Sequence, residues 1–180
     1  MGATIFPEAI QKAIEVTKEF GIGSGGVPLL TGTSIYQEEL EKLIAKISGM
    51  DDTILFSSGY TANLGVISGL IRPNNLIIHD KLDHASLLDG TVMSGAKMIR
   101  YKHGDINDLE RLLKDNSPQY PNGILVVTDG VFSMDGDIAK LPQILEITRK
   151  YDAILLVDEA HATGGNRGQR CWYIVTLWDY

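Results

Sequence analysis

Short apolar runs alternating with helical stretches predict an α/β fold, a mostly parallel sheet with flanking helices. Three observations carry this prediction. Ile124-Leu125-Val126-Val127-Thr128 and Ala153-Ile154-Leu155-Leu156-Val157 are apolar over strand length, as strands covered on both faces are. Both break off abruptly into polar residues, Asp129-Gly130-Val131-Phe132-Ser133 and Asp158-Glu159-Ala160-His161. Between them Leu141 to Tyr151 has the spacing and length of a crossover helix, which makes the pair parallel.

The composition allows one domain and excludes several functional classes. The chain has 180 residues, 44% of them hydrophobic, enough for a core. No apolar run approaches the ~20 residues of a membrane-spanning helix. The first residues, Met1 to Glu8, lack the basic and long apolar regions of a secretory signal, so a cytoplasmic protein is expected. A net charge of -7 argues against a nucleic-acid groove, which needs a basic stripe. Cys171 is the only cysteine, which excludes an internal disulfide and a multi-cysteine zinc site and leaves it as a small packing residue.

In chain order, Pro7 to Phe20 reads as a helix with Ile10, Ala13, Ile14, Val16 and Thr17 on one stripe, stopped by Gly21. Gly21 to Pro28 is too glycine-rich for a regular element, and because it runs into Leu29, Leu30, Thr31, Gly32 and Thr33 it is expected to be an ordered loop of an active site or interface. Its Gly-x-Gly has no preceding strand, so the dinucleotide-binding signal is weak. Tyr36 to Ile47 is a second helix with Leu40, Leu43, Ile44 and Ile47 on one face; Gly49 ends it. Thr53 to Phe56 reads as a short strand.

Ser57-Ser58-Gly59-Tyr60-Thr61-Ala62-Asn63 turns into a helix carrying Leu64, Val66, Ile67 and Leu70. Small residues here leave the first backbone N–H groups at the positive end of the helix dipole, a cradle for phosphate; an ordinary serine N-cap is the plainer alternative. Leu76-Ile77-Ile78 is the next strand, followed by His79 and His84. Their spacing is not that of a helical zinc site, so no metal is expected; one of them could cap the next helix, and His84 could lay its ring over a planar cofactor. Ser94-Gly95-Ala96-Lys97 matches Ser-x-x-Lys without its companion motifs and is set aside. Met98 to Tyr101 is strand-like, Asn107 to Leu113 helical, and Asp115 to Gly123 a connection rich in turn formers. The turns at Ser58, His84, Ser133 and His161 then follow strands and gather at one sheet edge, where a single ligand could touch all four.

Val157-Asp158-Glu159-Ala160-His161 also spells the second motif of a DEAH-type helicase, but no Gly-Lys-Ser or Gly-Lys-Thr occurs to hold nucleotide phosphates. That reading is set aside.

Taken together, Gly23-Ser24-Gly25-Gly26, Leu30-Thr31-Gly32-Thr33, Glu39-Leu40-Glu41, Phe56 to Asn63, Asp83-His84-Ala85-Ser86, Thr128 to Gly136 and Val157 to His161 resemble the α-oxoamine synthases of the fold-type I pyridoxal-phosphate enzymes. The resemblance runs in family order from about Pro7 to Gly164. It implies the large-domain portion of the fold-type I aminotransferase-like fold, over residues 1–164, and pyridoxal 5'-phosphate (PLP) as cofactor. It further implies a reaction that condenses an amino acid with an acyl-CoA to an α-oxoamine, and a homodimer when the protein is full-length. By the resemblance Ser58, Gly59 and Tyr60 would lie at the cofactor phosphate, His84 would stack on the pyridine ring, and Asp158 would pair with its protonated nitrogen. Ser133 and His161 would hydrogen-bond around the ring hydroxyl, and His84 and His161 are the candidate catalytic residues.

Departures from the family pattern shape the remaining expectations. Pro28 stands where the family commonly has arginine, and Gln37 where histidine usually precedes Glu-Leu-Glu. The cofactor-binding lysine of the family lies downstream of the Asp158 motif in a Ser-x-Ser/Thr-Lys segment, and nothing like it follows Gly164. Residues 165–180 hold the only cysteine and both tryptophans and read as a divergent tail, as in a truncated or frame-shifted product, or else as an extra edge strand. The chain alone is therefore expected to be inactive. The alternative is a non-catalytic interaction or regulatory subunit that keeps the fold.

Overall fold

The computed structural model describes residues 6–121 and 123–162 and the backbone of Val175–Trp178. The chain divides into two compact units, residues 1–43 and 44–180.

The first unit holds α1 (Pro7–Phe20), a single π turn at Pro28–Gly32 and the start of α2 (Ile35–Ser48). Pro7 opens α1 where its missing N–H costs nothing, and Gly21, at φ +81°, closes it with an N–H to Thr17 O. The stripe residues Ile10 and Ile14 are exposed, and no residue of α1 is buried. Phe20 meets Tyr36 edge-on at 5.4 Å between ring centroids. The glycine-rich loop is ordered by close backbone approach: Gly32 is buried, and its N–H reaches Val27 O at 2.9 Å.

In the second unit the apolar runs form one sheet from β1 (Leu76–Asp80), β2 (Lys97–Tyr101), β3 (Ile124–Asp129), β4 (Ile154–Asp158) and β5 (Val175–Trp178). Their spatial order is β2-β1-β3-β4-β5; the first four are parallel and β5 runs antiparallel to β4. Helix α3 (Gly59–Leu70) precedes β1, and α4 (Ala85–Ser94), α5 (Ile106–Asn116) and α6 (Leu141–Lys150) supply the connections between the parallel strands.

Alternate side chains of each strand go to opposite faces. Leu76, Ile78, Ile124, Val126, Leu155 and Val157 join Leu109 and Leu113 of α5 and Ile144 and Ile147 of α6. On the other face Ile77, Leu125, Val127 and Leu156 join Ile67 of α3 and Leu87 of α4. Covering both faces is why the runs 76–78, 124–127 and 154–157 are apolar throughout, and the predicted α/β class holds.

One element differs. Thr53–Phe56 is no strand, and Ile54 and Phe56 are exposed. Both flanks of β1, β3 and β4 are already paired, so a three-residue apolar run finds no interior place in the sheet. Instead the Phe56 ring lies against α3 at Gly65, where a Cβ would collide with it. The turn at Ser58 therefore follows an extended segment, not a strand. The first strand also runs two residues further than its apolar core, so His79 and Asp80 are buried strand residues. Of the expected tail, residues 165–174, Asp179 and Tyr180 lie outside the described residues, and Val175–Trp178 forms the edge strand β5.

Candidate active site

Parallel strands deliver their C-terminal residues to one edge, so Asp80, Asp129 and Asp158 end β1, β3 and β4 side by side. The β3–β4 register pairs Asp129 directly with Asp158.

Asp158 is 8% exposed, and both of its oxygens are engaged. Oδ2 accepts from Asn63 Nδ2 at 2.6 Å and Oδ1 from the backbone N–H of Ala160 at 2.9 Å. Asn63 is buried on the second turn of α3 and donates also to Ser86 Oγ at 2.9 Å, while its Oδ1 is buried without a hydrogen bond. Ser86 Oγ lies 2.7 Å from His84 Nδ1. The backbone N–H of His84 donates to Asp129 Oδ2 at 2.9 Å. One hydrogen-bonded path thus joins His84 to Asp158 through Ser86 and Asn63.

Desolvation first, and then the charge of Asp158, pushes the Asp129 carboxyl up to about 7. Beneath it Asp83 takes the N–H of Asp129 at 3.3 Å and of Asp80 at 3.1 Å, and meets His79 Nδ1 at 3.0 Å. Burial holds the Asp83 carboxyl well above its ordinary range and the His79 imidazole down at about 4, where Arg100 adds to the effect. His79 is fully enclosed, with Nε2 on Thr91 Oγ1 at 2.8 Å. Of the two histidines after the β1 apolar run, then, one is a buried pin and the other faces outward.

At the start of α3 Ser58 is the N-cap of a capping box: Thr61 N–H donates to Ser58 Oγ at 3.1 Å, and Ser58 N–H to Thr61 Oγ1 at 3.1 Å. With Ala62 N–H on Ser58 O, the N–H groups of Gly59 and Tyr60 have no partner within the helix. Tyr60 OH donates to Asp89 Oδ2 at 2.6 Å, tying α3 to α4. His84 caps α4, its Nδ1 accepting the N–H of Ser86 at 3.3 Å, and the residue is exposed.

Ser133, in the turn after β3, and His161, three residues past Asp158, are both exposed and make no hydrogen bond among the described residues. His84, Asp158 and α3 thus form a bonded group that does not include Ser133 or His161. Sequence reasoning missed the roles of Asn63, Ser86, Asp83 and Asp129. Asn63 could have been noticed as an amide one helical turn past Gly59, on the side that carries Ile67 into the core.

Residues 2–179 match the family model described as aminotransferase class I and II. The chain belongs to that family. It is 48% identical over 164 residues to a putative 8-amino-7-oxononanoate synthase of Trichodesmium erythraeum, covering 90% of this chain and 42% of that one. A serine palmitoyltransferase variant from S. paucimobilis, solved with bound PLP and myriocin, superposes with a TM-score of 0.85 at 37% identity, covering 89% of this chain and 40% of that one. An 8-amino-7-oxononanoate synthase from Francisella tularensis gives a TM-score of 0.71 at 32% identity, covering 91% and 42%. These relatives are α-oxoamine synthases, in agreement with the resemblance read from the motifs. The chain spans about two fifths of their length.

Proposed function

We propose that this chain carries the PLP site of an α-oxoamine synthase, the part of the protein that holds the cofactor while an amino acid is condensed with an acyl-CoA. The observation that carries the reading is the buried Asp158 carboxylate, held by Asn63 Nδ2 at 2.6 Å, in one bonded group with His84 and at the edge where α3 begins.

The donor set suits PLP at three points. An acidic group stands ready for a protonated pyridine nitrogen, held in place by two donors. Free N–H groups at Gly59 and Tyr60, beside Ser58, suit a phosphate at a helix N-terminus. The exposed imidazole of His84 suits the face of an aromatic ring. Asp158 would hold the ring nitrogen protonated, His84 would stack on the ring, and Ser133 and His161 would bond the ring hydroxyl. When bound, PLP supplies an electron sink for the electron pair left at the amino acid's α-carbon. Residues 1–164 then constitute part of the large domain. Homodimeric assembly and a cytoplasmic location belong to the same reading.

Turnover by the 180-residue chain alone is not expected, since its last lysine is Lys150, upstream of Asp158. The test is a titration with PLP and with pyridoxal, followed by absorbance. Tighter binding of PLP than of pyridoxal, with marked weakening in Asp158→Ala, is expected. Equal binding by Asp158→Ala, or no preference for the phosphorylated form, overturns the reading. A borohydride-reducible adduct mapped to a single lysine would overturn the expectation of inactivity.

A further inference from the structure

We infer that Asn63 and Ser86 are positioning residues that set the tautomer of His84, holding its ring with the proton on Nε2 and Nδ1 as the acceptor. An ionised carboxylate only accepts, so the atom of Asn63 facing Asp158 Oδ2 at 2.6 Å must be the amide nitrogen. Turning the amide over would set two acceptors against each other in a buried place. That amide nitrogen has a second hydrogen, and it goes to Ser86 Oγ at 2.9 Å. Ser86 therefore accepts from Asn63 and keeps its own hydroxyl hydrogen to give.

The remaining neighbour of that hydroxyl is His84 Nδ1 at 2.7 Å. The same ring atom is approached by the backbone N–H of Ser86 at 3.3 Å. With two donors directed at it, Nδ1 carries a lone pair, and the neutral ring has its proton on Nε2. Asn63 and Ser86 are each 1% exposed, so water does not compete for the Asn63–Asp158 and Asn63–Ser86 bonds, while the two bonds to His84 Nδ1 are part-buried. The carboxylate at the end of β4 thus dictates, through two buried side chains, that the outward edge of His84 is a hydrogen-bond donor.

The geometric chain from Asp158 to His84 does not depend on PLP, but its use in the site rests on the proposed function. A donor at Nε2 suits an acceptor on whatever lies against the ring, such as a substrate carboxylate. If the tautomer were free, that edge would present a lone pair part of the time.

Long-range proton–nitrogen correlation spectra of the full chain, labelled with ring-15N histidine and free of PLP at pH 8, test this directly. His84→Asn assigns the His84 signals. The expected result is an unprotonated Nδ1 and a protonated Nε2 at His84, with the difference between the two nitrogens reduced in Ser86→Ala and in Asn63→Ala and restored in Ser86→Thr. A role confined to stability would change unfolding in these variants and leave the nitrogen shifts alone. A protonated Nδ1 in the unsubstituted protein overturns the inference, as does an unchanged pattern in a folded Ser86→Ala. If Ser86→Ala does not fold, the spectrum of the unsubstituted protein decides by itself. A chain that shows the assigned tautomer but fails to bind PLP keeps this inference and loses the proposed function; one that binds PLP with Nδ1 protonated does the reverse.

Discussion

Asn63 Nδ2 donates to Asp158 Oδ2 across 2.6 Å, joining residues 95 positions apart in the chain. The contact fastens α3, whose first N–H groups have no partner within the helix, to the strand end that offers the carboxylate. The two ends of the candidate cofactor site are thus held in register by one buried amide.

Removing that amide leaves a buried carboxylate short of a donor. Asn63→Leu is expected to cost at least about 1–3 kcal/mol, the range for leaving a buried polar group unsatisfied, which is larger for charged groups. Asn63→Asp costs more, because it sets a second carboxylate against the first. Urea unfolding at constant pH measures both, and an Asn63→Leu variant as stable as the parent would show that water replaces the lost donor.

The change of stability between about pH 4 and 7 reports on Asp129. Its folded carboxyl is raised to about 7, whereas an unfolded aspartate titrates near ~3.9. Between these values the folded chain holds a proton that the unfolded chain has lost, so stability falls as pH rises through the window. Asp83, also raised, adds to the fall. His79 acts oppositely: its imidazole is lowered to about 4, so its contribution is lost as pH falls from ~6.5 toward that value. Asp129→Asn cannot ionise, yet its amide oxygen can still accept the His84 N–H. Urea midpoints at about pH 5, 6 and 7 should therefore fall less, or rise more, with pH in Asp129→Asn than in the parent, and an identical slope would assign the effect elsewhere.

The core face under α3 and α4 is sensitive to volume. Leu156, fully enclosed between Leu125, Val127 and the helices, should lose about 2–5 kcal/mol on Leu156→Ala, the transfer term plus a cavity. Val92→Ala, at a position 73% exposed on α4, should stay within about 0.5 kcal/mol. Equal losses at the two positions, measured by denaturant unfolding, would contradict this layering.

In the first unit a methyl group at Gly32 would strike the carbonyl of Gly26 and the backbone of Val27, whereas one at Gly25 would meet nothing. Gly32→Ala is expected to raise amide hydrogen exchange across residues 26–33, and Gly25→Ala to leave it unchanged. The comparison fails if both substitutions loosen the turn alike.

Much of this protein is decided by spacing within single stretches. Helix α1 runs from Pro7 to Phe20 as its sequence pattern requires, and the apolar runs at Ile124 and Ile154 become strands because only a doubly covered sheet can bury every residue of such runs. The motifs from Phe56 to Asn63, at His84 and at Asp158 were enough to bring the family into view. Other features depend on partners far along the chain, which local pattern cannot reveal. Thr53–Phe56 had the apolar character of a strand, but the sheet had no vacant interior edge for it. His79 looked like a loop histidine beside His84 until the strand extended and enclosed it against Asp83 and Thr91. Asn63 and Ser86 were silent letters in their motifs. Only when α3, α4 and β4 met at one edge did the direction of each hydrogen bond follow, because a donor has meaning only opposite an acceptor, and that pairing is made by the tertiary fold.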